Sequence, residues 1–129
     1  MTTNIVLVEP DAILARMYTK TLQRNGFSIT KLQSAEQAIL HLDKAQPPSL
    51  IILDLQLPGH NGVEFLYELR SYADWVRIPI IVLSEVPKEA LAMTKFMQQK
   101  LGIRKFLKKS QTDLAELQRH VINEVKQER

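Results

Sequence analysis

Four polar residues of this 129-residue chain stand just past short apolar runs, and their types belong together chemically. Glu9 follows Ile5-Val6-Leu7-Val8, and Asp54 follows Leu50-Ile51-Ile52-Leu53. Ser84 follows the run from Ile78 to Leu83, and Lys109 lies just beyond Lys105-Phe106-Leu107. An aspartate held at a strand end is a plausible nucleophile toward a phosphoryl group. A hydroxyl and an ammonium beside it would bind and neutralise the incoming phosphoryl oxygens. Carboxylates, a backbone carbonyl and waters would also suit a hard cation such as Mg²⁺. Each residue alone is an ordinary loop polar group. Four of them on one edge make a site.

For these residues to meet, the runs that carry them must be neighbouring strands. Between the runs lie amphipathic stretches with helical spacing. Pro10 to Asn25 places Ile13, Leu14, Met17, Tyr18, Thr21 and Leu22 on one stripe, with Pro10 suited to the first helical position and Gly26 to the stop. Phe27 to Lys31 reads as a weak strand. Ser34-Ala35-Glu36-Gln37 resembles a capping box that opens a helix to about Ala45. Gln46-Pro47-Pro48-Ser49 breaks the chain before the strongest strand, and Leu55 to Gly62 reads as a loop. Helices are predicted over Val63 to Ala73, Pro87 to Leu101 and Thr112 to Lys126, the last capped by Thr112 or Asp113. Strands alternating with single helices imply an α/β doubly wound parallel sheet with helices on both faces. Ligands of such sheets collect at the carboxyl ends of the strands, where the four residues fall.

Composition narrows the function classes. Apolar residues make up 45% and charged residues 24%, ordinary globular usage that argues against wholesale disorder. The absence of cysteine excludes disulfide scaffolds, thiolate nucleophiles and Cys-based zinc sites. No apolar run approaches ~18 residues, and Met1-Thr2-Thr3-Asn4 lacks the pattern of a signal peptide. The expectation is one domain over residues 1–129, soluble and cytoplasmic, with no membrane partner. His41, His60 and His120 show no metal-ligand spacing, and Trp75, Met93 and Met97 read as packing residues. Charge is uneven: residues 1–94 carry 8 basic and 10 acidic side chains, and residues 95–129 carry 9 basic and 4 acidic. With no interleaved aromatics for base stacking, the basic end reads as a solvated face or a protein-docking surface and not as a nucleic-acid site.

With these residues in place, the sequence resembles the receiver domain of bacterial two-component response regulators, the CheY-like domains. Leu53-Asp54-Leu55-Gln56-Leu57-Pro58-Gly59-His60-Asn61-Gly62 is similar to that family's phosphoacceptor segment. The apolar strand running into Ser84, and Gly102 with Phe106-Leu107-Lys108-Lys109, match its later motifs. The resemblance implies a flavodoxin-like fold with strand order 2-1-3-4-5. It implies that Asp54 accepts phosphate from a histidine kinase or phosphotransfer protein, with Ser84 as the switch hydroxyl. Phe106 would be the aromatic switch, Lys109 the phosphoryl partner, and Glu9, Asp54 and the Gln56 backbone carbonyl the Mg²⁺ ligands. It further implies a downstream effector, and a homodimer as a further partner, through the face of the fourth helix, fifth strand and fifth helix. The chain would be a switch and not an enzyme.

Three departures bear on that reading. Pro10 stands where the family has a second acid, the direct metal ligand, so Mg²⁺ should bind weakly. Asp11 would replace that ligand only if the turn is shifted by one residue; otherwise it is an acid favourably placed at a helix N-terminus. Glu85 follows the switch serine where a small residue is usual, and its carboxylate would repel a dianion unless turned away. Ser110 replaces the proline that usually follows the lysine in a cis bond, so this loop is expected to be trans. These departures keep a second reading open, a degenerate receiver that binds partners without phosphorylation. A haloacid dehalogenase-type phosphatase would want an acid at Gln56, and a flavodoxin would want a hydroxyl-rich loop after the first strand.

Overall fold

The computed structural model describes residues 3–127, and the side chains of all of these except His60 and Gln127. Strand β1 (Asn4–Val8) leads to α1 (Ala12–Gln23), β2 (Ser28–Leu32) and α2 (Ala35–Lys44). Then come β3 (Leu50–Leu53), α3 (Gly62–Arg70), β4 (Ile80–Ser84), α4 (Lys95–Lys100), β5 (Ile103–Lys108) and α5 (Leu114–Gln127). All neighbouring strands of the sheet pair in parallel, in the order β2-β1-β3-β4-β5. This is the doubly wound sheet that the strand–helix alternation implies, in the flavodoxin-like order that the family resemblance implies.

Strand alternation divides the core in two. Val6, Val8, Ile51, Leu53, Ile80 and Val82 face α2 and α3. Their neighbours Ile5, Leu7, Leu50, Ile52, Ile81 and Leu83 face α1 and α5. Both faces are covered, which is why these strands are continuous apolar runs. Trp75 packs into the first cluster, as expected of an anchor, with its ring 4.6 Å from that of Tyr72 and tilted to it by 47°. Met93 is buried there too, with Met97 packed against its edge.

Local chemistry explains where the elements begin. Helix α1 starts at Ala12 because the Asp11 carboxylate accepts from the backbone of Ile13 (2.9 Å) and Leu14 (3.0 Å). Asp11 is therefore the cap, and Pro10 lies outside the helix, not at its first position. Ser34 caps α2 by accepting from Gln37 at 3.1 Å, while Gln37 reaches back to the backbone of Gln33 at 2.8 Å. Of the two candidate caps for α5, Asp113 serves: it accepts from Glu116 N–H at 2.8 Å, and Glu116 accepts in return from Asp113 at 3.3 Å.

Two predicted elements differ from what forms. The expected loop of residues 55–62 contains a miniature antiparallel hairpin, Gln56–Leu57 against His60–Asn61. The expected helix from Pro87 to Leu101 is broken. A 3-10 turn, Lys88–Leu91, ends at Ala92 with a left-handed φ of 51°, and Thr94 then caps the short α4. The last strand is longer than its apolar part suggested, because β5 is an edge strand whose exposed positions tolerate charge.

Candidate functional site

Parallel strands end together, and the residues after them converge. The Asp54 N–H donates to Val8 O at 3.0 Å, so Asp54 extends the β1–β3 ladder by one step. Glu9 N–H likewise donates to Leu32 O at 2.9 Å. Both acids are thus held by backbone, with their carboxylates at the same edge. Glu9 is 1% exposed, Asp54 4% and Ser84 0%.

The polar contacts account for nearly every oxygen. Asp54 Oδ1 accepts from Gln56 N–H at 2.9 Å and from Ser84 Oγ–H at 2.8 Å. Asp54 Oδ2 accepts from Lys109 Nζ at 2.5 Å. The same ammonium reaches Glu9 at 2.9 Å (Oε1) and 3.1 Å (Oε2), and Glu9 Oε2 also accepts from Asp11 N–H at 3.0 Å. These are the only ion pairs among the described residues. Burial pushes the Lys109 ammonium toward its neutral form, but the hydrogen bonds to Asp54 and Glu9 and their charges outweigh it. Its pKa consequently lies above the ordinary lysine value. One ammonium is shared by two buried carboxylates.

The structure brings Glu9, Asp54, Ser84 and Lys109 together as the sequence implied. It does not bring Asp11 in: the side chain is exposed and engaged as the α1 cap. Pro10 offers no side-chain oxygen. Among the described residues no three His, Asp or Glu side chains are grouped closely enough to hold a metal ion. What remains is Glu9, Asp54 and the Gln56 carbonyl, all hard oxygens, and Mg²⁺ accepts one or two carboxylates completed by waters. The donor set fits Mg²⁺, with the Lys109 ammonium competing for the same oxygens. The hairpin after Asp54 is closed by Gly62, whose N–H donates to Leu55 O at 3.0 Å. A Cβ on Gly62 would stand 2.5 Å from Leu55 Cα, so no other residue fits there.

The departures at Glu85 and Ser110 meet each other. Glu85 does not face Asp54; its carboxylate accepts from the backbone N–H of Ser110. A proline at position 110 would lack that N–H. The described chain contains no cis peptide bond, so the loop at Lys109 is trans. No local pattern in the sequence links two residues 25 apart. The sequence shows Tyr18 only as part of a helical stripe. Tyr18 lies within the field of the site: burial raises its pKa, Lys109 opposes this, and Glu9 and Asp54 reinforce it. Phe106 is half-buried against the core edge and lines a cleft of about 300 Å³ with Val86, Pro87 and Lys108. His41 and His120 take part in none of these contacts, and the side chain of His60 lies outside the described residues.

The doubly wound α/β sheet thus carries a lysine-bridged acid pair and a buried hydroxyl at its carboxyl edge. Comparison with known proteins goes further. The family model described as the response regulator receiver domain matches residues 5–122. The chain belongs to this family. It is 33% identical over 88 residues to the KDP operon transcriptional regulatory protein KdpE of Escherichia coli, a stretch that covers 68% of this chain and 37% of that protein. It is 31% identical over 84 residues to the phosphate regulon transcriptional regulatory protein PhoB of the same species, covering 65% and 36%. The chain thus spans little more than a third of the length of these curated relatives. In fold it is similar to a sensor protein from Polaromonas sp., with a TM-score of 0.85, 25% identity and coverage of 98% of each chain. The chemotaxis response regulator CheY4 of Vibrio cholerae superposes with a TM-score of 0.82 at 21% identity, covering 96% of this chain and 99% of that one. Receiver domains of this family bind Mg²⁺ at the acidic pocket and interact with histidine kinases and effector domains.

Proposed function

We propose that Asp54 accepts a phosphoryl group from a histidine kinase or phosphotransfer protein and that the domain is a switch, not an enzyme in its own right. The observation that carries this reading is the convergence of Ser84 Oγ and Lys109 Nζ on the two oxygens of Asp54, at 2.8 and 2.5 Å. In the transfer, the P–N bond of a phosphohistidine breaks as a P–O bond to an Asp54 carboxylate oxygen forms. The electron pair of the broken bond stays on the imidazole nitrogen. Lys109 is the cation that takes up charge on the phosphoryl oxygens, and Ser84 is the hydroxyl that turns from the carboxylate to one of them. Mg²⁺, when bound by Glu9, Asp54 and the Gln56 carbonyl, supplies further neutralisation of those oxygens. Lacking an acid at position 10, the site binds it weakly.

Movement of Ser84 is transmitted through β4 to the α4–β5–α5 face, where Phe106 is poised between core and cleft. Lys95, Lys100, Arg104, Lys105, Lys108 and Arg119 are exposed on these elements, and none has a carboxylate within ion-pair distance among the described residues. A face of one sign attracts an acidic protein surface. The effector therefore presents acids to it, or a second copy docks there when the charge is screened. No helix among the described residues is long and apolar enough to cross a membrane.

Intact mass measurement after incubation with acetyl phosphate and Mg²⁺ tests the reading. The expected result is a mass gain of one phosphoryl group that is absent in Asp54→Asn. A wild-type chain that gains nothing, or an Asp54→Asn variant that gains as much, refutes it and leaves a phosphorylation-independent docking module.

A further inference from the structure

The edge of the sheet opposite Asp54 holds a second concentration of charge. A cleft of about 760 Å³ opens there between the loop entering β4 and the turn entering β5. Arg70, Arg77 and Arg104 line it together with Gln99, Pro79 and Ile103, and no acidic residue does.

Arg70 is built into the fold. Its Nε donates to Leu101 O at 2.8 Å, Nη1 to the carbonyls of Trp75 (2.8 Å) and Val76 (2.9 Å), and Nη2 to Ile78 O at 2.6 Å. A guanidinium carries five N–H groups, so one on Nη2 remains uncommitted. Every partner is a neutral carbonyl, and among the described residues no carboxylate pairs with the charge. The turn is shaped around this group: Gly102 has φ +73°, and a Cβ on it would stand 2.3 Å from Arg70 Nη2.

Arg104 arrives by an irregularity in β5. Ile80 pairs with Ile103 and Ile81 with Lys105, which makes Arg104 the extra residue of a β-bulge. A bulge takes its extra residue out of the ladder and re-aims the side chain. Arg77 stands between Val76 and Ile78, the two residues whose carbonyls hold Arg70. Burial, and then the charge of Arg104, lower the Arg70 pKa, so the cations repel one another in the free protein. None of the three has a carboxylate within ion-pair distance among the described residues.

Planar guanidinium forks match phosphate oxygens two at a time, and the open forks of Arg77 and Arg104, with the one free N–H of Arg70 in the same cleft, suit more than one phosphate. We propose that this cleft binds a small polyphosphate anion, such as a pyrophosphate group, held by Arg70, Arg77 and Arg104. An organic group attached to it would lie against Pro79 and Ile103. This site is separate from Asp54 and does not depend on phosphorylation there.

Titration calorimetry of the whole chain with pyrophosphate at low salt tests this. Saturable one-to-one binding is expected. Arg77→Ala and Arg104→Ala, both at exposed side chains, should each weaken it about tenfold, the size of one lost charge-assisted hydrogen bond. Lys44→Ala, on α2, should leave it unchanged. ADP binding more tightly than pyrophosphate assigns a nucleotide to the apolar wall; equal affinity assigns the site to the phosphates alone. Absence of saturable heat overturns the proposal. So does a double arginine variant that binds like the wild type, or a Lys44→Ala variant weakened as much as the arginine variants.

Discussion

Removing the Lys109 ammonium, by Lys109→Met, exposes how much the site depends on one cation. The side chain is 14% exposed, and its partners Glu9 and Asp54 are 2% and 4% exposed, so the pairs are buried ones. Breaking a buried pair leaves uncompensated charge and costs ~3–5 kcal/mol. Here the backbone N–H groups of Asp11 and Gln56 and the Ser84 hydroxyl still solvate the two carboxylates, which places the loss near the lower end, about 3 kcal/mol. With an m-value of about 1.5 kcal/mol per molar, the urea midpoint should fall by about 2 M. A second arm separates charge from packing. Lys109→Met frees the oxygens for which the ammonium and Mg²⁺ compete, so Mg²⁺ should stabilise the variant more than the wild type. At ten times its dissociation constant, the metal contributes about 1.4 kcal/mol. A midpoint shift under about 0.5 M, or equal Mg²⁺ stabilisation of both proteins, would show that the carboxylates are satisfied without Lys109.

Other perturbations give distinct readouts. Pro10→Asp should tighten Mg²⁺ about tenfold in a calorimetric titration, because hard-cation affinity follows the number of charged ligands; unchanged affinity would mean position 10 does not face the metal. Glu85→Ala should cost about 1 kcal/mol through its lost bond to the Ser110 N–H, and nothing further in a Ser110→Pro background; additive losses in that double-mutant cycle would refute the coupling. Because the Lys109 pKa is raised, its contribution to stability is fully present below 10.5, the ordinary lysine value, and is lost as pH rises through the higher folded value. As pH is raised from neutral, the melting-temperature gap between wild type and Lys109→Met should therefore begin to shrink only above about pH 10.5; a gap that already closes between about pH 7 and 10 would contradict the assignment. Lys105→Glu with Lys108→Glu should abolish effector docking while leaving the unfolding midpoint in place, and undiminished docking in a pull-down would put the output face elsewhere.

What could be read from the sequence followed from two-sided burial. Strands β1, β3 and β4 must be continuous apolar runs, so the residues that end them, Glu9, Asp54 and Ser84, announced the site before any coordinates. What escaped was tertiary. Nothing local indicates that Glu85 would find the N–H of Ser110, or that Arg104 would be the surplus residue of a bulge. The break at Ala92 was invisible because alanine favours helix, and only the surroundings place it at a left-handed φ. Pro10 was assigned to the helix because proline suits a first turn, whereas the carboxylate of Asp11 takes the cap and sets the start one step later.

The broken segment after Ser84 has an energetic consequence. Between Glu85 and Lys100, Met93 is the one side chain that is buried, and neither the 3-10 turn nor α4 buries any residue of its own. Phe96, at 71% exposure, points outward. Opening this stretch therefore forfeits the burial of Met93, ~1.5–3 kcal/mol of transfer free energy, and the partial burial of Leu91 and Met97, while the sheet beneath stays intact. Its amides should exchange with deuterium by sub-global opening, orders of magnitude faster than those of β3 and β4. The chain after Ser84 is thus inexpensive to rearrange, and under the proposed function a bias of a few kcal/mol delivered at Ser84 would suffice to repopulate it.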